Sequence, residues 1–215
     1  MVRNYVVRSP FWVLGWVCVG LTTASGVLAD GTHAVQQVAL ADHDHHHHQV
    51  PLTGYKRSVE DYAIPDVALI GSDGVRVPAL EELGGDGPVL MNFIFTTCTA
   101  ICPVMSATFS QVQDVLGREQ EKVTMVSVSI DPEQDTPERL AAYAERFDAS
   151  PNWHFFTGTV ADSVKVQMAF DVYRGGKMNH VPVTLIRPKP EAPWVRLEGL
   201  ASADDIVREY HGLVR

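Results

Sequence analysis

At 215 residues, with 46% hydrophobic side chains, the chain suits one domain with extensions and can bury a sizeable core. Its 17 Lys and Arg against 26 Asp and Glu give a formal charge of −9, which argues against nucleic acid as the main partner and suits a basic protein partner. Three cysteines are too few for a disulfide scaffold, so each is judged by its place.

Residues 1–29 read as a targeting segment. Arg3 and Arg8 precede an uncharged run from Phe11 to Ala29, and no acidic residue occurs before Asp30. A basic start, an apolar stretch and small residues at its end are the marks of an export signal. The run of 19 residues is also just long enough to span a bilayer as an uncleaved anchor. Its glycines, threonines and Ser25 weaken an anchor and favour cleavage after Ala29. Either outcome carries the rest of the chain across the membrane and leaves membrane contact to this segment alone. Cys18 lies inside it and is expected to be inert.

Residues 30–57 are rich in Ala, Asp, Gln and His. Six of the nine histidines fall between His33 and His48, including the run His45–His48. Without hydrophobic periodicity the stretch cannot bury a core and reads as a flexible linker. Clustered neutral imidazoles bind Cu(II), Zn(II) or Ni(II) with little geometric selectivity, so a loose metal-collecting role stands beside a plain tether.

Residues 58–215 read as one α/β domain. Asp66–Ile70 and Val75–Val77 suggest short strands around the turn Gly71–Gly74. The apolar run Pro88–Phe95 and the β-branched Val123–Ile130 are expected as strands buried on both faces. Helical spacing runs from near Pro103 through Leu116 toward Arg118. Pro137 opens a second helix through Leu140, Tyr143 and Phe147, at a first-turn position where proline is tolerated. Trp153–Thr157 predicts a strand and Val160–Phe170 a helix. Val183–Ile186 and Trp194–Leu197 form a hairpin pair, and Ser202 caps a last helix toward Leu213. This order implies a central mixed β-sheet flanked by helices. The loop after Phe95 then leaves the carboxyl end of a central strand, where sites in open α/β sheets concentrate.

That loop carries Cys98-Thr99-Ala100-Ile101-Cys102-Pro103. Cysteines four apart fall on one side of a helical turn, and the positive end of the following helix favours thiolate over thiol. Such a pair holds a metal or exchanges disulfides. His180, between Gly175-Gly176 and the strand near Val183, is either structural or a third ligand. Two thiolates and an imidazole make a soft set suited to Cu(I), with room for Cu(II).

Cys98–Pro103, the stretch Ser129-Ile130-Asp131-Pro132-Glu133-Gln134-Asp135-Thr136-Pro137-Glu138 and Asn179-His180 resemble, in order, motifs of the Sco/SenC family of copper proteins. The resemblance covers roughly Val59 to Leu213. It implies a thioredoxin-like fold, a periplasmic location, soluble or tethered to the inner membrane by residues 11–29, and copper held by Cys98, Cys102 and His180. It also implies that Cys98 and Cys102 are redox thiols able to form a disulfide. The implied partners are subunit II of cytochrome c oxidase, whose CuA site receives the copper, and other copper chaperones. Asp131, at a strand end, is expected to orient the loop, bond a ligand or, most simply, cap local backbone.

One departure from the family pattern is Pro182, two residues after His180. Val181-Pro182-Val183 is similar to the element that thioredoxins place beside their redox cysteines with a cis proline bond. A cis Val181–Pro182 bond would shift the balance from copper carriage toward thiol–disulfide exchange.

Overall fold

The structure, a computed structural model, describes residues 54–214. The targeting segment and nearly all of the histidine-rich linker lie outside the described residues. Among the described residues, no helix is long and apolar enough to cross a membrane.

In chain order the domain comprises β1 (Gly54–Glu60), β2 (Ala68–Gly71), β3 (Arg76–Pro78), α1 (Ala79–Gly84), β4 (Val89–Ile94), α2 (Ile101–Leu116) and β5 (Thr124–Ser129). It continues with α3 (Pro137–Glu145), β6 (Trp153–Thr157), α4 (Val160–Ala169), β7 (Val183–Arg187), β8 (Trp194–Leu200) and α5 (Ala203–Val214). One mixed sheet runs β1-β8-β7-β4-β5-β6-β2-β3. Within it β4, β5 and β6 are parallel, and the other pairings are antiparallel.

Alternation along β4 explains its apolar run, which only the buried Asn92 interrupts, its Oδ1 accepting the Ser127 hydroxyl at 2.7 Å. Leu90 and Ile94 point into a layer with Phe109 and Val112 of α2, Leu140 of α3 and Ile206 of α5. Val89, Met91 and Phe93 point into the opposite layer, with Leu83 of α1 and Val166 of α4. A strand covered on both faces favours apolar residues on both, and a polar one is accommodated where it finds a buried partner.

The helices begin as their sequences predict. Thr136 accepts the N–H of Arg139, with Pro137 in the first turn of α3. Ser202 and Asp205 cap each other's backbone at the start of α5. Two elements go beyond the expectation. Gly54–Arg57, assigned to the linker, belongs to β1, which pairs along its length with β8 from Gly54↔Leu200 to Glu60↔Trp194. The six-residue α1 was not anticipated either.

The β1–β8 pairing also shapes the entry to β7. Gly199 sits at φ 121°, and a Cβ there would lie 2.6 Å from the carbonyl oxygen of Gly54. Its N–H donates to the carbonyl of Pro182 at 2.9 Å. The positive φ and the close approach both require glycine. No described peptide bond is cis, so the Val181–Pro182 bond, whose isomer the sequence leaves open, is trans.

Candidate metal centre

The cysteine loop leaves the carboxyl end of β4, as the strand order predicts. Cys98 does not share a helix with Cys102; it lies ahead of α2 and folds back onto its first turn. Ala100, at the start of α2, has no side chain able to cap it, and the Cys98 sulfur fills that place, accepting the N–H of Cys102 at 3.4 Å. Burial raises the Cys98 thiol, but N–H groups of Cys102, Ala100 and Ile101 outweigh it, so its pKa is lowered. Cys102 is fully buried in the α2–α5 layer, and desolvation pushes its pKa far up. Both are free thiols.

A buried carboxylate holds this loop. Asp135 is 0% exposed and accepts the N–H of Thr96 at 3.1 Å, the Thr96 hydroxyl at 2.6 Å and the Ser129 hydroxyl at 2.6 Å. It thereby ties the β5–α3 loop to the β4–α2 loop two residues before Cys98.

His180 lies at the strand entry, just ahead of β7. Its Nε2 lies 3.0 Å from the carbonyl oxygen of Phe93, near the base of the cysteine loop. A carbonyl only accepts, so Nε2 carries the proton and Nδ1 keeps a bare lone pair. That Nδ1 is buried without a partner. Burial, with Arg174 adding to it and the Phe93 carbonyl opposing it, lowers the imidazole to about 4, so the ring is neutral at physiological pH. His180 lines a cleft of about 200 Å³ with Val160, Val164 and Gln167 of α4. The structure therefore brings Cys98 and Cys102 together but leaves His180 apart from them. No group of three or more His, Cys, Asp or Glu among the described residues stands close enough to hold a metal ion. The donor types nevertheless fit a soft ion: one thiol inclined to ionise, a second beside it and a neutral imidazole with an unused lone pair.

The profile of the SCO1/SenC family matches residues 68–184, more than half of the chain. The chain belongs to the SCO1/SenC family. It is 38% identical over 99 residues to the SCO1 protein homolog of Bacillus subtilis (strain 168), covering 46% of this chain and 50% of that protein. The chain spans about half the length of the curated relatives it matches. BsSco, a member of the Sco family of cytochrome c oxidase assembly proteins with a disulfide switch, superposes with a TM-score of 0.62 at 26% identity, covering 73% of this chain and 96% of that one. Arabidopsis thaliana ScoI, solved with copper bound, superposes with a TM-score of 0.56 at 25% identity, covering 70% of this chain and 95% of that one. The fold is the thioredoxin-like fold of Sco proteins.

Within this Sco/SenC domain the two aspartates of the second motif divide their work. The Asp131 carboxylate does not cap local backbone, the simplest expectation for it. It pairs instead with Nζ of Lys177, on the loop that carries His180. Asp135 organises the cysteine loop, a role its sequence context did not reveal. Lys177 was also missed; its Nζ stands 5.7 Å from the centre of the Phe95 ring.

The unequal thiols give a direct test. Near neutral pH, iodoacetamide is expected to modify Cys98 first and to leave Cys102 untouched until the domain unfolds, as read by peptide mass spectrometry. The Cys98 rate should reach its plateau below the ordinary thiol range, because a lowered pKa supplies thiolate at lower pH. Equal labelling of both would contradict the assignment.

Proposed function

We propose that this chain is a copper metallochaperone that delivers copper to the CuA site on subunit II of cytochrome c oxidase, acting on the periplasmic side of the membrane. Cys98, Cys102 and His180 are the ligands, and copper is their cargo. The observation that carries this reading is the neutral His180 imidazole, with its buried Nδ1 lone pair unused, poised at the base of the loop that presents two thiols. A structural histidine normally satisfies both ring nitrogens; one left bare is available as a ligand. BsSco, of a family of cytochrome c oxidase assembly proteins, and the copper-bound Arabidopsis thaliana ScoI support the same reading. Loading requires the His180 loop to move toward the sulfurs, and Gly175 and Gly176, both exposed, give it a hinge. Other copper chaperones supply the ion. The oxidase site then takes it as its own ligands replace these three one at a time. Residues 1–29 export the domain, which is either freed by cleavage or tethered by residues 11–29.

The inequality of the thiols favours a second activity, reduction of the target's cysteines. The Cys98 thiolate attacks one sulfur of a partner disulfide, whose S–S bond breaks and releases a thiolate that takes up a proton. Cys102 then loses its proton and attacks Cys98 in the mixed disulfide. The result is a Cys98–Cys102 disulfide and a reduced partner, two electrons richer.

The test is copper retained by the purified protein after dialysis, with His43 and His45–His48 replaced by serine to remove loosely held metal. Cys98→Ser and Cys102→Ser are each expected to reduce retained copper to the level of the double variant. Unchanged copper in both would exclude the cysteines as ligands.

A further inference from the structure

Two contacts hold the His180 loop in its docked position. One is the hydrogen bond from His180 to the Phe93 carbonyl. The other is the ion pair between Lys177 and Asp131, which nothing in the copper chemistry requires. Its setting is unusual for a surface pair. The Asp131 side chain is 7% exposed, while Lys177, 36% exposed, reaches in from the loop. Asp131 lies just beyond β5, where its N–H donates to the Ser129 hydroxyl at 3.0 Å, and that hydroxyl donates in turn to Asp135. The Lys177 ammonium also faces the Phe95 ring, ahead of the cysteine loop. One side chain thus ties the histidine loop to both motif loops that build the site. Around it, Arg174, Gly175, Gly176, Met178 and Asn179 are exposed, so the loop has little other anchorage.

We propose that Lys177 and Asp131 form a latch that keeps His180 away from Cys98 and Cys102 and must open before copper is captured. Both are positioning residues, since neither touches the ion. The inference rests on the copper-carrier reading, because the latch matters only if His180 has to travel. A charge-assisted hydrogen bond to a buried carboxylate holds more firmly than an exposed pair, since solvent screens it less. The competent open loop is then a minor population, and apparent copper affinity is reduced by that fraction.

The test uses the full-length protein with Lys177→Met, which keeps the stem over Phe95, Asp131→Asn, which leaves no unpaired buried charge, and the double variant. Hydrogen exchange across residues 174–182 in the metal-free protein reports opening directly. The thiolate-to-Cu(II) absorption band reports capture, and the histidine tract cannot contribute to it. Each single variant is expected to speed exchange in this segment and raise apparent copper affinity, both on the order of tenfold. The double variant should add little to either, since both changes break one interaction. Unchanged exchange with unchanged or weaker copper capture overturns the latch and leaves the carrier reading standing. If instead His180→Ala leaves copper binding intact, the carrier reading fails. Exchange in 174–182 then decides by itself whether the pair holds the loop.

Discussion

His180→Ala is expected to weaken copper binding by more than the roughly 10–100-fold that outer-shell changes cost, because it removes a ligand rather than a support for one. Thiol–disulfide exchange should continue at nearly its original rate, since Cys98 keeps its N–H donors at the start of α2 and Cys102 remains buried beneath it. The two activities therefore separate in one variant. Fold damage should be slight: the lost hydrogen bond is a single one to the Phe93 carbonyl, and the buried Nδ1 has no partner to lose. Stability is expected to change in a pH-dependent way. With the folded pKa lowered to about 4, the native imidazole binds fewer protons than the unfolded one as pH falls below the ordinary histidine value near 6.5. The wild-type chain is thus penalised progressively between those values, and the alanine variant escapes that share of acid destabilisation. Urea titrations at neutral and mildly acidic pH measure the difference. Copper affinity within a factor of two of wild type would remove His180 from the ligand set.

Asp135→Ala is expected to cost about 4 kcal/mol, because three donors lose their acceptor in a dry environment: the Thr96 N–H and the hydroxyls of Thr96 and Ser129. For a domain of this size the melting temperature should fall by roughly 10 °C. Asp135→Asn should cost less, since it keeps one acceptor oxygen but turns an NH₂ group toward a donor. The damage would not stay local, because Thr96 lies two residues before Cys98 and the clamp sets the path of the cysteine loop. Slower Cys98 alkylation is expected in both variants, as the helix N–H groups no longer close around the sulfur. A melting temperature unchanged to within a degree would show that the loop is held by other means.

Much of the frame was legible from local pattern. Strands β4 and β5 announce themselves because both faces are covered, so every position except Asn92 is apolar or small. Helices α3 and α5 announce themselves through Thr136-Pro137 and Ser202, whose side chains act within three residues. What was hidden is non-local. Gly54-Tyr55-Lys56-Arg57 looks like linker because it is polar and partly solvated, and only β8, more than a hundred residues later, makes it a strand. Asp131 and Asp135 stand four residues apart in one motif, and no local rule separates them. Burial beside Thr96 makes one a clamp; the approach of Lys177 makes the other an ion-pair partner. His180 was found by its type and its distance from a strand entry. Its bare Nδ1 depends on a contact with Phe93, 87 residues earlier in the chain. The proline beside it suggested a cis bond that the folded chain does not contain.

Copper-edge X-ray absorption on the loaded full-length protein, with the linker histidines replaced by serine, probes the ligand set itself. Two sulfur scatterers and one imidazole ring are predicted around each copper, with the imidazole signal absent in His180→Ala. A spectrum with sulfur alone, or one unaltered by that substitution, would contradict a centre in which the loop histidine closes on the cysteine pair.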